Sequence, residues 1–132
     1  MVEESDIFKK ILIEEKDTLK ELESQISRAT EIFRIEKPSG KIIFQNFGEL
    51  SDTQRISALL MGKFFAKKAG LEVNDSVGVG EISKGLGRPM TTLSGPLKEL
   101  VNKGFVERLL DRKYRIAYHR ISEILDKILK VK

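Results

Sequence analysis

The sequence contains no cysteine and only one histidine, His119. Both shortages argue against disulfides, metal centres and histidine-based catalytic sites. Without thiols the chain has no disulfide and no thiolate metal centre. One imidazole is too few for an ordinary zinc site, and no motif places a serine or a carboxylate beside it to make a catalytic set. We therefore expect no cofactor, no metal and no enzymatic activity.

Targeting and membrane signals are also missing. The first ten residues, MVEESDIFKK, are acidic and lack the basic start and apolar run of a secretory signal. No apolar run approaches the ~20 residues that are needed to cross a bilayer. Together with the absence of cysteine, this predicts a cytoplasmic protein with no membrane partner.

The charge is unevenly distributed along the chain. Residues 1–33 hold 5 Lys and Arg against 9 Asp and Glu, whereas residues 34–132 hold 19 against 11. A basic body after an acidic start favours a polyanion such as nucleic acid as partner of the body. The alternative is that both are ordinary solvated surfaces.

Residues 1–33 are predicted to form one long helix. From about Ser5 to Phe33 there is no proline or glycine, and strong helix formers dominate. Apolar residues recur at heptad spacing apart from Glu15, which is typical of a coiled-coil seam: Phe8, Leu12, Leu19, Leu22, Ile26, Ala29 and Phe33. Ile7, Ile11 and Ile13 widen this stripe. The pattern predicts dimerisation through this helix, with packing onto its own domain as the alternative.

Residues 34–50 are predicted to hold a β-hairpin and a linker. The extended segments 33–35 and 41–44 flank the tetrapeptide Lys37-Pro38-Ser39-Gly40. Proline presets φ at the first central position of a turn, and glycine accepts the positive φ that follows. No function is visible in this hairpin.

A third unit, residues 51–118, begins with a helix start signal. Ser51-Asp52-Thr53-Gln54 matches the capping box, and apolar residues at helical spacing run on to Lys67-Lys68-Ala69-Gly70. Gly62 within this helix costs roughly 1 kcal/mol against alanine, so we expect a close approach by another backbone there.

A short helix and a glycine-containing turn follow. Val77-Gly78-Val79 is predicted to be extended, and residues 81–86 to form a helix of one to two turns that ends at Gly85-Leu86-Gly87. The glycine spacing fits neither dinucleotide-binding nor phosphate-binding loops, so these are turn glycines.

The stretch 89–118 predicts a helix followed by a two-stranded ribbon. Leu93, Leu97, Leu100 and Val101 recur at helical spacing, and Gly104 ends the helix. Two apolar strands then flank the charged corner Asp111-Arg112-Lys113. Proline is tolerated only in the first helical turn, so Pro96 predicts a helix that is capped at Thr91 or Thr92.

The residues TLSGPLKELVNKGFVER resemble the recognition helix and first wing strand of winged helix-turn-helix regulators, closest to MarR- and ArsR-type proteins and small archaeal relatives. The likeness covers about residues 52–118. It implies an α+β fold, mainly α: a winged helix-turn-helix with a long N-terminal helix, a β-hairpin and a C-terminal helix at 119–132. In MarR-like proteins the terminal helices build the dimer, and the resemblance implies the same here.

The expected function is double-stranded DNA binding by a dimeric transcriptional regulator. The helix would enter the major groove and the wing would touch the neighbouring backbone or minor groove, as in the look-alikes. Gly95 stands where many relatives carry a basic or long polar residue, which favours modest sequence specificity. The candidate DNA-binding residues are Arg88, Thr91, Thr92, Ser94, Lys98, Lys103, Arg108, Arg112, Lys113 and Arg115, with Arg112 at the wing tip as the strongest single candidate.

A second hypothesis stays open. Winged helices also serve as protein-binding modules, so the fold alone does not decide the partner. In this alternative, Leu109-Leu110 and the acidic N-terminal helix contact another protein, and the chain does not bind DNA.

Overall fold

The computed structural model describes residues 15–71 and 74–129 of the chain, with side chains from Leu19 onward. The predictions for Phe8, Leu12 and the three early isoleucines lie outside these residues. The fold is α+β and mainly helical, with two small antiparallel hairpins. In chain order the elements are α1 (Glu15–Ala29), β1 (Phe33–Ile35), β2 (Ile42–Phe44), a 3-10 turn (Phe47–Glu49), α2 (Asp52–Lys68), α3 (Val79–Leu86), α4 (Met90–Asn102), β3 (Val106–Arg108), β4 (Tyr114–Ile116), a second 3-10 turn (Tyr118–Arg120) and α5 (Ile121–Leu129).

Helix α2 is the centre of the fold. The predicted capping box is confirmed: Ser51 Oγ accepts from the Gln54 amide, and the Gln54 side chain accepts from the Ser51 amide. Helices α3, α4 and α5 and strands of both hairpins pack against α2. Ile56, Leu60 and Met61 are fully buried as a result, and they form the middle of the core.

The first hairpin closes one side of α2. Strand β1 pairs with β2 in the register Phe33–Phe44 and Ile35–Ile42, and Gly40 takes the positive φ (76°) that the turn prediction required. A Cβ atom on Gly62 would lie 2.5 Å from Ile42 Cδ1. The expected close approach at Gly62 is therefore real, but the neighbour is a side chain of β2 and not a backbone.

Helices α1 and α5 pack against each other. Gln25, which is buried, donates from Nε2 to Ser122 Oγ at 3.0 Å, and Arg28 forms an ion pair with Asp126. The four apolar residues predicted for the face of α5 are all buried within the chain: Ile121, Ile124, Leu125 and Ile128. Their face is thus already covered within one copy of the chain.

The segment before α4 differs from the sequence prediction. Val77 and Gly78 are extended as predicted, and Val77 forms a single bridge to Tyr114, with Val77 N donating to Tyr114 O at 2.9 Å. Val79 is not extended because α3 already begins there, after the N-cap Gly78. Gly87 ends α3 with φ 64°, and three residues later α4 begins.

Helix α4 starts earlier than predicted. Its N-cap is Pro89, not Thr91 or Thr92, so Pro96 lies in the helix interior and not in the first turn. The backbone bond from position 96 to the Thr92 carbonyl is lost. Gly95 explains why the helix continues, since the usual clash of a proline ring with the Cβ of the preceding residue does not exist there.

The second hairpin follows α4 directly. Gly104 has φ 77°, as its helix-ending role requires, and β3 pairs with β4 in the register Val106–Ile116, Glu107–Arg115 and Arg108–Tyr114. The residues that the sequence assigned to the core here are buried: Leu93, Leu97, Leu100, Phe105 and Ile116. These contacts hold the hairpin rigidly beside α4.

Candidate nucleic-acid interface

A surface groove of about 420 Å³ lies between α4 and the second hairpin. We call it the helix–hairpin groove. Its polar and aromatic lining comprises Ser94, Lys98, Asn102, Arg108 and Tyr114. Helical spacing of four aligns Ser94, Lys98 and Asn102 on one face of α4. Arg108 and Tyr114 are cross-strand partners in the hairpin and therefore share the face that is turned to α4.

The two cations of this groove have no counter-ion among the described residues. Within residues 19–71 and 74–129, neither Lys98 nor Arg108 forms an ion pair, although eight such pairs occur there. Both side chains are exposed, on different elements of one rigid unit. The groove can therefore offer an ammonium and a guanidinium to an anion without breaking any pair among the described residues.

The start of α4 adds small polar groups to the same surface. Thr91, Thr92 and Ser94 are exposed. Thr92 Oγ1 donates to the Pro89 carbonyl at 2.8 Å, which ties the first turn together in place of a side-chain cap. A Cβ atom added to Gly95 would have no other atom of the described residues within 4 Å, apart from its chain neighbours and its own helix backbone. This part of the helix surface is therefore open.

The tip of the second hairpin is a tight turn. Arg112 N donates to Leu109 O at 3.1 Å, and Arg112 itself takes φ 61°, in the left-handed region. The Arg112 side chain is exposed, while Lys113 Nζ lies 3.9 Å from Asp111 Oδ2. Leu110 at the apex is fully exposed. The tip thus presents one guanidinium and one leucine side chain together.

Three of the predicted residues lie elsewhere. Arg88 Nη2 donates to Asp52 Oδ2 at 3.2 Å, so this arginine joins the α3–α4 turn to the start of α2. Lys103 pairs with Glu99 at 3.1 Å and borders a different groove, beside α5. Arg115 pairs with Glu107 at 3.1 Å on the opposite face of the hairpin.

Residues 103–120 hold six Lys and Arg against two Asp and Glu, but not all of these cations face α4. Arg120 is one of the six cations of that stretch, and its guanidinium lies 4.4 Å above the Phe105 ring and donates to the Lys103 carbonyl at the end of α4. It also pairs with Glu123 at 2.8 Å. Its role is to close the helix end, not to extend the groove.

Sequence reasoning missed Asn102 and Tyr114 as lining residues of the groove. The available signals were the spacing of four from Lys98 to Asn102 and the position of Tyr114 as first residue of the second strand. Neither signal is specific, because only the strand register shows that Tyr114 pairs with Arg108.

No helix of the described residues is long and apolar enough to cross a membrane. Within the same residues, no three His, Asp or Glu side chains are grouped so that they could hold a metal ion. A scan against protein-family models, a search of curated proteins and a search of solved structures each find no match for this chain.

Proposed function

We propose that the chain is a winged helix-turn-helix protein that binds double-stranded DNA, with α3 and α4 as the helix-turn-helix and the β3–β4 hairpin as the wing. The order of the elements supports this assignment: a helix, a three-residue turn, a second helix and a two-stranded ribbon. The resemblance in sequence supports it as well. In such a domain the second helix lies in the major groove and the wing lies against the adjacent backbone.

The observation that carries the proposal is the pair of cations in the helix–hairpin groove, neither of which forms an ion pair within residues 19–71 and 74–129. Lys98 on α4 and Arg108 on β3 line one open groove, together with the hydroxyl of Ser94 and the amide of Asn102. Phosphate contacts come from such cations and polar side chains, and they fix the protein on the duplex. Thr91 and Thr92 would then meet base edges or phosphates at the start of the helix.

In the proposed complex, affinity comes mainly from electrostatic contacts with the DNA backbone, and sequence specificity is modest. Gly95 offers no side chain at the centre of the exposed face of α4, and its open surface allows a close approach of the DNA backbone. Arg112 at the exposed tip would reach the minor groove, which attracts guanidinium groups where it is narrow.

Paired copies of the chain would read paired half-sites. Leu19 and Ile26 are seven residues apart on α1 and remain about half exposed (56 % and 45 %). Ile26 also borders an apolar groove of about 310 Å³ with Phe33, Ile35 and Phe65. Leu22 and Ala29, the other heptad positions of this part of α1, pack against the chain's own core, so a second copy of α1 would meet Leu19 and Ile26. Since the apolar face of α5 is covered within the chain, the proposed dimer rests on α1.

A titration of labelled duplex DNA tests the function. We expect Lys98→Gln and Arg108→Gln each to weaken binding about three- to tenfold, and the double variant to weaken it further. The control is Lys41→Gln, which makes the same charge change on the first hairpin and should leave binding within twofold. Absence of duplex binding by the wild-type chain at low salt would refute the proposal.

One observation favours the alternative function as a protein-binding module. Leu110 is fully exposed at the hairpin tip, and an apolar side chain there suits a protein partner. In that case Leu110→Ser would abolish binding of the protein partner. Lys98→Gln and Arg108→Gln would then have no effect in DNA titrations, because the wild-type chain would not bind duplex DNA.

A further inference from the structure

A second groove, of about 540 Å³, lies between the end of α2 and strand β4. We call it the rear groove. Its lining includes two aromatic residues, three cations and one carboxylate: Phe64, Tyr118, Lys67, Lys68, Arg115 and Asp75. None of these residues belongs to the helix–hairpin groove.

The aromatic side chains form a short row. The rings of Phe64 and Tyr118 are parallel within 5°, with centroids 5.9 Å apart, and the His119 ring meets Tyr118 edge-on at 5.7 Å. Tyr118 keeps 59 % of its surface exposed. The exposed part of the Tyr118 ring gives a further ring a surface on which to pack, in the offset or edge-to-face arrangements that aromatic pairs prefer.

The three cations of the rear groove lie beside these aromatic rings. Lys68 Nζ lies 5.7 Å from the Phe64 ring centroid, Lys67 pairs with Asp75 at 3.6 Å, and Arg115 pairs with Glu107 at 3.1 Å. Lys67 and Arg115 are 57 % and 40 % exposed. Such surface pairs are worth about 0–1 kcal/mol, so a phosphate can replace the carboxylate at little cost.

We propose that the rear groove binds single-stranded nucleic acid, with a base stacked on Tyr118 and the backbone phosphates on Lys67, Lys68 and Arg115. Aromatic platforms beside cations are the recurring means of holding single strands. A duplex does not fit, because its bases are already stacked on each other and cannot reach the ring. The groove is open, whereas pockets for small ligands enclose most of their occupant, so a strand fits better than a free nucleotide.

This inference stands on residues separate from those of the proposed duplex site. The test is the fluorescence anisotropy of a labelled 12-mer of deoxythymidine, and of the same length of uridine, at low salt. We expect Tyr118→Ala to weaken binding about tenfold, which corresponds to the loss of one base–ring stack. Tyr118→Phe keeps the ring and should stay within twofold of the wild type. Lys68→Gln should weaken binding, and the matched Lys41→Gln should not.

Four results would overturn the inference. The wild-type chain could fail to bind either single strand, or Tyr118→Ala and Tyr118→Phe could behave alike while thermal unfolding shows both to be folded. Deoxythymidine monophosphate could displace the labelled strand when its concentration equals that of the nucleotides in the strand, which would indicate a pocket for a free nucleotide. Lastly, the Lys98→Gln/Arg108→Gln variant could lose single-strand binding as strongly as Tyr118→Ala. Loss of duplex binding alone in that variant leaves the rear groove as the single-strand site, so the two proposals fail separately.

Discussion

Arg88 and Asp52 join the turn before α4 to the start of α2: Arg88 Nη2 donates to Asp52 Oδ2 at 3.2 Å. Asp52 also pairs with Arg55 Nη1 at 3.4 Å, and the buried Arg88 Nε has no hydrogen-bond partner among the described residues. A residue that the sequence assigned to DNA thus holds two helices of the domain in place.

A double-mutant cycle tests this connection. Because both side chains are partly exposed, we expect a coupling energy of about 0.5–1 kcal/mol between Arg88→Ala and Asp52→Ala. The measurement is urea unfolding of the two single variants and the double variant. Arg88→Ala should weaken duplex binding less than Arg108→Ala does. A coupling energy near zero, together with a large loss of DNA binding by Arg88→Ala, would indicate that Arg88 contacts DNA and does not stabilise the fold.

Helix α4 offers a test of the Gly95-Pro96 pair. Pro96→Ala restores a backbone bond to Thr92, and proline inside a helix costs roughly 3 kcal/mol, so this variant should unfold at a higher temperature than the wild type. Gly95→Ala should stabilise by about 0.5–1 kcal/mol only when Pro96 is already alanine, because a Cβ before proline disfavours the helical conformation. Equal effects of Gly95→Ala in both backgrounds would contradict this explanation of the continuous helix.

Close packing of the first hairpin on α2 predicts a third non-additive pair. Gly62→Ala should destabilise the fold by about 1–3 kcal/mol, since the added Cβ would lie 2.5 Å from Ile42 Cδ1 in a packed core. Ile42→Val removes that methyl group and should recover part of the loss. Denaturant unfolding of the single and double variants measures both. A Gly62→Ala variant that is more stable than the wild type would show that the hairpin is not held against α2.

The exposed apolar residues of α1 predict the oligomeric state. Ile26→Asn should shift the chain from dimer to monomer in sedimentation equilibrium, because it removes an apolar contact from the proposed α1 interface. Ile43→Asn is the matched control, since Ile43 is also 45 % exposed but lies on β2. A wild-type chain that is monomeric at tens of micromolar would refute the proposed dimer.

Local chemistry predicted several elements of this fold correctly. The capping box at Ser51 and Gln54, the turn glycine Gly40 and the helix-ending Gly104 are each specified by residues within a few positions of one another. Both hairpins follow from alternation around such turns. The predicted start of α4 is wrong because proline normally marks the first turn of a helix, whereas Gly95 lets Pro96 lie in the helix interior.

Tertiary partners could not be predicted in the same way. Arg88 and Asp52 are 36 positions apart, and Arg28 and Asp126 are 98 apart. Nothing local distinguishes these structural ion pairs from the exposed cations Lys98 and Arg108. The face of a strand residue also depends on register: the sequence groups Arg115 with Arg108, whereas the register puts the two residues on opposite faces of the hairpin.

The salt dependence of duplex binding tests the central proposal most directly. Each phosphate contact releases about 0.9 counter-ion from B-DNA, so the logarithm of the binding constant falls linearly with the logarithm of salt concentration. We expect the Lys98→Gln/Arg108→Gln variant to bind more weakly than the wild type and to reduce the slope by about 1–2. An unchanged slope in this variant, or a wild-type slope near zero, would contradict a DNA interface in the helix–hairpin groove.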